Sequence, residues 1–177
     1  MPSIAVDAMG GDHAPEELVK GVAQVSLETD IECLLVGDER RIQSVLACAK
    51  HFRLIRGIRR AALASVYPRQ TEHAGQDRLA LMVDVGATIR CEAEELVHFA
   101  LMGSAYARRI SKVPSPRVAL LNMGSEENKG GEVLVEAHRR LRHVPALNFV
   151  GNVEGQELVR GKADVIVCDG FLVEPVM

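Results

Sequence analysis

Residues 3–36 read SIAVDAMGGDHAPEELVKGVAQVSLETDIECLLV. Within them, Ser3–Asp7 is a short aliphatic run that predicts a strand, and the glycine pair in residues 9–13 predicts a turn. A helix is predicted over residues 15–28, because a proline suits its first turn and two glutamates lie near its positive end. Glu32–Val36 predicts a second strand, so strand and helix alternate from the start of the chain.

The same alternation continues along the rest of the chain. Further strands are predicted at Ala61–Val66, Leu79–Val85, Arg117–Asn122, Leu147–Val150 and Asp164–Cys168. Further helices are predicted from Asp38 through Ile55, at Glu92–Arg109, at Gly131–Arg142 and, as a short one, at Glu154–Val159. The strands are apolar throughout and separated by helices, which predicts an α/β fold with a mostly parallel sheet covered on both faces.

Composition narrows the classes of function. The chain has 177 residues, of which 47% are hydrophobic, so it is long enough for one domain with a real core. A net charge of -3, 3% aromatic residues and no Trp argue against a nucleic-acid surface. No apolar stretch approaches the roughly 18 residues that a membrane span needs. We therefore expect a soluble, cytoplasmic protein.

The sequence contains no recognisable metal or covalent-catalysis motif. Its four cysteines are far apart and predict reduced, structural thiols: Cys33, Cys48, Cys91 and Cys168. His138 and His143 lie in or beside a basic helix, where we expect solvated side chains. No G-x-S-x-G turn is present. We expect no metal, no organic cofactor and no covalent nucleophile.

Polar and glycine residues follow the predicted strands at residues 7–12, 84–86, 122–124, 151–152 and 169–170. Ligands of parallel α/β sheets bind beyond the carboxyl ends of the strands, so these segments are candidates for one cleft. Gly10 and Gly11 let the backbone approach an anion at a helix start, although a glycine pair also simply forms a turn.

The segment 122–131, NMGSEENKGG, offers an amide, two carboxylates and Lys129 in a loop that opens a helix. Lys129 could bind phosphate or stabilise an oxyanion, or the whole segment could be a solvated loop. In the same way, Asn152 either lines a site or caps the next helix, and Asp169 is either a site carboxylate or a turn residue.

Read together, the motifs resemble the PlsX family of phosphate acyltransferases. The similar segments occur in the family's order: IAVDAMGGDHAPEELVKG from residue 4, LLVGDE from 34, GIRRAAL from 57, MVDVGA from 82, ELVHFALMGSAYA from 95, LLNMGSEENKG from 120, NFVGNVEG from 148 and DVIVCDGF from 164. The resemblance covers nearly all of the chain.

This resemblance implies a three-layer α/β/α fold like that of phosphotransacetylases and isocitrate dehydrogenases. It also implies transfer of a fatty acyl group from acyl carrier protein to inorganic phosphate, which gives acyl phosphate for phospholipid synthesis. The implied protein is a cytoplasmic homodimer with loose membrane contact. In that reaction phosphate attacks the thioester directly, so no enzyme nucleophile is required.

On the resemblance, we expect the following site roles. Lys129, Asn122 and Asp84 form the catalytic group, with the first two binding phosphate or stabilising the oxyanion. The substrate and phosphate are expected to contact Gly10, Gly11, Asp12, His13, Asn152, Glu154 and Asp169.

The chain also departs from the family pattern. It resembles a single but incomplete domain over residues 1–177, with an internal deletion seam near residues 43–46 and without the family's C-terminal, membrane-contacting part. Thr88 stands where the family tends to have Asn, and Leu172, Val173 and Glu174 replace its Thr-Gly-Asn. Two alternatives therefore stay open: an inactive remnant that acts at most as a binding protein, and a phosphotransacetylase that uses acyl-coenzyme A.

Overall fold

The computed structural model describes residues 3–45, 52–54, 60–70, 79–86 and 90–170, with the backbone alone at 52–54. The chain divides into two compact units, Met1–Ala61 and Ala62–Met177. Each unit contains its own sheet. The α/β class with a mostly parallel sheet, as predicted, is confirmed in both units.

The first unit is a three-stranded parallel sheet with two helices. Its elements are β1 (Ser3–Asp7), α1 (Glu16–Glu28), β2 (Glu32–Val36), α2 (Glu39–Val45) and β3 (Phe52–Leu54), with sheet order β1-β2-β3. The helices bury Val19, Val22 and Ile42 against Cys33 and Leu35 of the central strand. The β-α-β unit predicted from residues 3–36 is confirmed.

One helix prediction in this unit is wrong. The basic stretch after Asp38 was expected to stay helical through Ile55, yet α2 ends at Val45 and Phe52–Leu54 forms a strand. That strand pairs in parallel with Cys33–Leu35 of β2. The edge of β2 has backbone N–H and C=O groups that can pair with an extended segment. This pairing is long-range, so a helical pattern in the local sequence does not predict it.

The second unit is a five-stranded sheet in the order β4-β5-β8-β6-β7. Its elements are β4 (Ala64–Pro68), β5 (Leu79–Val83), α3 (Ala93–Arg109), β6 (Arg117–Leu121), α4 (Gly131–Leu141), β7 (Asn148–Val153), a 3₁₀ helix (Gly155–Arg160) and β8 (Val165–Val167). Four strands are parallel and the edge strand β4 is antiparallel to β5. The predicted strands and helices of this unit are all found, with bounds shifted by up to three residues and the last helix of the 3₁₀ type.

Apolar residues on both faces of this sheet explain its unbroken apolar runs. Leu81 and Val83 face α3 and α4, whereas Ala80 and Met82 face the side of the 3₁₀ helix. Gly103 brings α3 close to the sheet, since a Cβ there would lie 2.6 Å from Val165 Cγ1. Packing on both faces therefore sets the positions of the strand ends and of the polar residues that follow them.

Candidate active site

The segment 122–131 connects the carboxyl end of β6 to α4 and is anchored by a buried amide. Asn122 is 4% exposed. Its Nδ2 donates a 2.9 Å hydrogen bond to the backbone oxygen of Lys129, and its Oδ1 accepts a 2.8 Å hydrogen bond from the Met123 amide. Both ends of the loop are therefore held by one side chain, which we call the anchor of the 122–131 loop.

A second buried amide holds the middle of the same loop. Asn152 lies in β7, beside β6, and is 2% exposed. Its Nδ2 donates to the backbone oxygen of Glu126 at 2.8 Å, and its Oδ1 lies 2.9 Å from Nδ1 of His138. Asn152 does not cap the following helix, because Glu154 is the N-cap there and forms a capping box with Glu157.

Gly130 allows the loop to pass over its anchor. Its φ is +89°, a left-handed conformation that favours glycine, and a Cβ at this position would collide with Asn122 Oδ1 and lie 2.5 Å from Leu134 Cδ1. The neighbouring Gly131 has a φ of +79° but no atom within 4 Å of the position of a Cβ. Close approach therefore requires glycine at 130, and backbone conformation alone favours it at 131.

Lys129 is presented outward by this anchored loop. Its side chain is exposed, and among the described residues its amine has no hydrogen-bond or ion-pair partner. By contrast, the charge of Glu127 in the same loop is paired, with that of Arg142 at the end of α4. The loop thus combines a fixed backbone with a cation that is available to an anion.

A pair of carboxylates lies at the carboxyl ends of β5 and β8. Asp84 is completely buried, and its φ of +68° is unusual for a residue with a side chain. The Cys91 thiol donates to its Oδ2 at 3.3 Å, and its Oδ1 has no hydrogen-bond partner within the described ranges. Asp169 follows the adjacent strand and is half-buried.

These carboxylates also affect two thiols. Burial raises the pKa of Cys91 far above its usual range, and the hydrogen bond to Asp84 and the charges of Asp84 and Asp169 raise it further. Burial and the same two charges raise the pKa of Cys168. Both side chains stay protonated thiols at neutral pH, so neither is an activated nucleophile. Cys33, Cys91 and Cys168 are free and buried, as predicted, and Cys48 lies outside the described residues.

The glycine turn of the first unit is open to solvent. Gly10, Gly11, Asp12 and His13 are all exposed between β1 and α1, and Gly11 has a φ of +98°. Asp7 Oδ1 accepts the amide of Met9 at 2.9 Å, which closes the start of the turn. The predicted turn is confirmed, and its backbone is accessible to a ligand.

The sequence prediction for His138 is wrong. A solvated histidine was expected, but the residue is 5% exposed and contacts the ring of Phe149 edge to face at 5.1 Å. A signal was present: Leu134, Ala137, His138 and Leu141 form an apolar stripe at helical spacing, which buries whatever lies on it. The prediction was based on the basic residues of α4, which lie on its other face, and did not take this stripe into account.

Neither a metal-binding group nor a membrane-spanning helix is found in the described part of the chain. No group of three or more His, Cys, Asp or Glu side chains there could hold a metal ion. Over the same residues, no helix is long and apolar enough to cross a membrane.

Comparison with known families accounts for the motifs along the chain. The family model described as fatty acid synthesis protein matches residues 3–53 and 46–174. A phosphate acyltransferase of Dictyoglomus turgidum is 33% identical over 232 residues, which cover 96% of this chain and 68% of the relative. The chain belongs to the PlsX family of phosphate acyltransferases. This family membership confirms the resemblance seen in the sequence and makes the chain a member of an acyltransferase family.

Other members of the PlsX family show the same relation. Phosphate acyltransferases of Nostoc punctiforme and Moorella thermoacetica are 35% and 36% identical, over 96% of this chain and 67% and 66% of their own lengths. The chain thus spans about two thirds of these relatives. Each alignment runs over more positions than the chain has residues, so it contains gaps where the relative has residues and this chain has none.

Two solved structures match the chain at low sequence identity and with TM-scores below 0.5. A branched-chain phosphotransacylase of Enterococcus faecalis matches with a TM-score of 0.47 at 13% identity, over 99% of this chain and 84% of that one. A phosphotransacetylase of Staphylococcus aureus also gives 0.47 at 13% identity, over 94% of this chain and 77% of its own.

Within the second unit, the predicted site residues form two groups. Asn122, Lys129 and Asn152 belong to the anchored loop, and Asp84 and Asp169 form the pair on β5 and β8. Glu154 is half-buried and accepts a hydrogen bond from Gln156 at the start of the 3₁₀ helix. The sequence predicted the two amides and the lysine as site residues. It did not predict His138, whose Nδ1 lies within hydrogen-bond distance of Asn152 Oδ1.

Proposed function

We propose that this chain catalyses transfer of a fatty acyl group from acyl carrier protein to inorganic phosphate. Membership of the PlsX family supports the reaction type. The observation in the chain itself that carries the proposal is the 122–131 loop, where two buried amides fix the backbone and leave the Lys129 amine available. A loop of this kind suits a reaction in which two anionic reactants must be brought together.

In the proposed reaction, an oxygen of inorganic phosphate attacks the thioester carbonyl carbon of the donor. The carbon–sulfur bond then breaks, the sulfur leaves with the electron pair and takes up the proton that the attacking hydrogen phosphate loses, and acyl phosphate forms. Lys129 provides positive charge for the phosphate or for the oxyanion. Asn122 and Asn152 act through the loop backbone, since their hydrogen bonds are already directed to it.

The remaining predicted residues receive supporting roles in this proposal. Asp84 and Asp169 orient groups at the carboxyl ends of β5 and β8, and Glu154 shapes the end of β7. For the first unit taken by itself, we propose that the exposed turn at residues 10–13 can bind an anion, because its backbone is open and one of its glycines has a positive φ.

Turnover tests the proposal directly. The purified chain is incubated with long-chain acyl carrier protein and inorganic phosphate, and acyl phosphate is followed by mass spectrometry. Lys129→Ala is expected to lower the rate at least about tenfold, or about 1.4 kcal/mol. Lys20→Ala is the matched control, since Lys20 is an exposed lysine that pairs with Glu17 on α1. Equal rates in Lys129→Ala and Lys20→Ala would remove Lys129 from the site.

A second candidate function is anion binding without turnover, and the alignment gaps favour it. We propose that they reflect a segment missing near residues 43–46; the family match in two segments, 3–53 and 46–174, supports this position. A folded chain that binds phosphate and yields no acyl phosphate would support this second function. Product with acyl-coenzyme A but not with acyl carrier protein would instead identify a phosphotransacetylase.

We further propose that two copies of the chain associate and that the protein works in the cytoplasm, in loose contact with the membrane. Family membership is the support for these statements. Sedimentation equilibrium would measure the association, and co-sedimentation with anionic lipid vesicles would measure the membrane contact. A monomer over the whole concentration range, or no pelleting with vesicles, would reject the corresponding statement.

A further inference from the structure

A cavity of about 400 Å³ lies beside the edge strand β7, between this strand, α4 and the 122–131 loop. Its lining includes His138, Arg142, Lys162, Ser125, Glu127 and Phe149. This volume is within the range of small-molecule sites, about 300–1,000 Å³. Lys129 does not line it, so the cavity is distinct from the cation of the proposed acyl-transfer site.

The hydrogen-bond network behind the cavity determines which nitrogen of His138 carries a proton. The Glu126 carbonyl oxygen can only accept, so Asn152 must direct its Nδ2 towards it and its Oδ1 towards the imidazole ring. Nδ1 of His138 is therefore the donor to Oδ1. Nε2 is left to meet a ligand, and its nearest charged atom is Glu127 Oε1 at 3.9 Å, which is beyond hydrogen-bond distance.

The charges around the cavity favour an anion. Arg142 and Lys162 each bring a positive charge to the lining, where Glu127 is the one carboxylate. Both cations have carboxylate partners, Arg142 in Glu127 and Lys162 in Glu157 at 3.1 Å, and the Lys162 side chain is 40% exposed, so an anion would have to compete with these ion pairs. The Glu127 side chain is 65% exposed and pairs with Arg142 at the rim, so it can give way to another anion. Ser125 adds a hydroxyl that can donate to the same anion.

One wall of the cavity is apolar. The Phe149 ring packs edge to face against His138, with the ring centroids 5.1 Å apart, and Val150 follows it along β7. A bare inorganic anion would leave this wall without contact. The lining therefore matches a ligand with one strongly anionic group and a small organic body.

We propose that this cavity binds the phosphate monoester of a small organic molecule, with Arg142, Lys162 and His138 Nε2 around the phosphate and Phe149 against the organic part. Arginine and lysine side chains form charge-assisted hydrogen bonds with phosphate oxygens, and Nε2 of His138, whose Nδ1 carries the ring proton, can accept a hydrogen bond from a protonated phosphate oxygen. This inference goes beyond acyl transfer, because neither the thioester nor Lys129 takes part.

Calorimetric titration of the full chain with phenyl phosphate tests the site, with inorganic phosphate as the comparison ligand. Phenyl phosphate is expected to bind more tightly than inorganic phosphate. Arg142→Gln, Lys162→Gln and His138→Phe are each expected to weaken binding of phenyl phosphate about tenfold. Phenylalanine at 138 retains the ring against Phe149, and circular dichroism checks that each variant is folded. The matched control is Arg140→Gln, which removes an exposed charge of α4 that pairs with Glu136 outside the cavity.

Three outcomes would overturn the inference. Folded wild-type protein could fail to bind phenyl phosphate at all, or it could bind inorganic phosphate equally well. Alternatively, Lys129→Ala could abolish binding while the three cavity variants leave it unchanged, which would place the anion at the loop lysine. The acyl phosphate assay is independent of this titration, so a chain without turnover that still binds phenyl phosphate would reject the proposed function and retain the cavity.

Discussion

Asn122 and Lys129 are joined across the 122–131 loop by a 2.9 Å hydrogen bond from the side-chain amide of the first residue to the backbone oxygen of the second. Asn122 is buried while the Lys129 side chain is exposed, so the loop is anchored inside the fold and its lysine lies at the surface.

We expect Asn122→Ala to lower acyl phosphate formation at least about tenfold, because the Lys129 amine is then carried by a loosened loop. If Asn122 acts only through Lys129, the double variant Asn122→Ala/Lys129→Ala should be no slower than Lys129→Ala alone. A double-mutant cycle compares the rates of the wild type, the two single variants and the double variant, each measured by mass spectrometry of the product. Fully additive losses would show that Asn122 contacts the reactants itself.

Gly130→Ala is expected to destabilise the fold more than Gly131→Ala. Both substitutions place a side chain at positive φ, which costs about 1–2 kcal/mol, but only at 130 would the new Cβ collide with Asn122 Oδ1 and Leu134. Urea denaturation of both variants gives the free energies of unfolding. Equal losses would mean that the backbone conformation, rather than the close approach, explains the glycine at 130.

The ion pairs of Asp164 are expected to make the free energy of unfolding decrease at acid pH. Its Oδ1 lies 2.6 Å from Arg69 Nη1, and Arg117 donates to both of its oxygens at 3.2 Å. Burial by itself would raise the pKa of this carboxyl, but the hydrogen bonds from Arg117 and the charges of both arginines hold the pKa below its ordinary value. The stabilisation is thus present above the unfolded-state pKa and is lost as pH falls through the lower folded-state pKa.

Asp164→Asn should accordingly lower the free energy of unfolding at neutral pH by about 3 kcal/mol, because two arginines lose their buried partner. The same variant should lose less stability than the wild type between about pH 5 and pH 2. Urea denaturation across this range, with Glu17→Gln on the exposed face of α1 as the control, measures both effects. Parallel curves for Asp164→Asn and wild type would contradict the assignment.

Cys91 and Cys168 should resist alkylation in the native protein at neutral pH. Burial and the nearby carboxylates raise the pKa of both thiols, so the reactive thiolate is scarce and the sulfur is shielded. Iodoacetamide labelling, read at each cysteine by peptide mass spectrometry, should be slow in buffer and fast in guanidinium. Native labelling as fast as that of the denatured chain would show that these strand ends open.

Much of the fold was predictable because the strands of the second unit are apolar on both faces. Leu79–Val83 and Arg117–Leu121 bury consecutive residues, a pattern that a covered parallel sheet produces and an amphipathic helix does not. The 52–54 strand was missed because its pairing with β2 depends on a partner about 20 residues away in the chain rather than on local periodicity.

For the site, the sequence indicated which residues are polar at strand ends, but not which of their atoms are already used. Asn122 and Asn152 were expected to face a ligand, whereas each directs its amide hydrogen to the loop backbone. It could not be predicted either that His138 and Arg142 line one cavity, because this cavity lies where α4 packs beside the edge strand.

The sheet order β4-β5-β8-β6-β7 has a consequence for how the protein is made. The central strand, Val165–Val167, is the last of the described strands to leave the ribosome, yet it pairs with β5 on one side and β6 on the other. Until it arrives, the β4–β5 and β6–β7 pairs have no strand between them, and two apolar edges stay open during synthesis. One late strand therefore closes two strand edges at once and joins the two halves of the sheet.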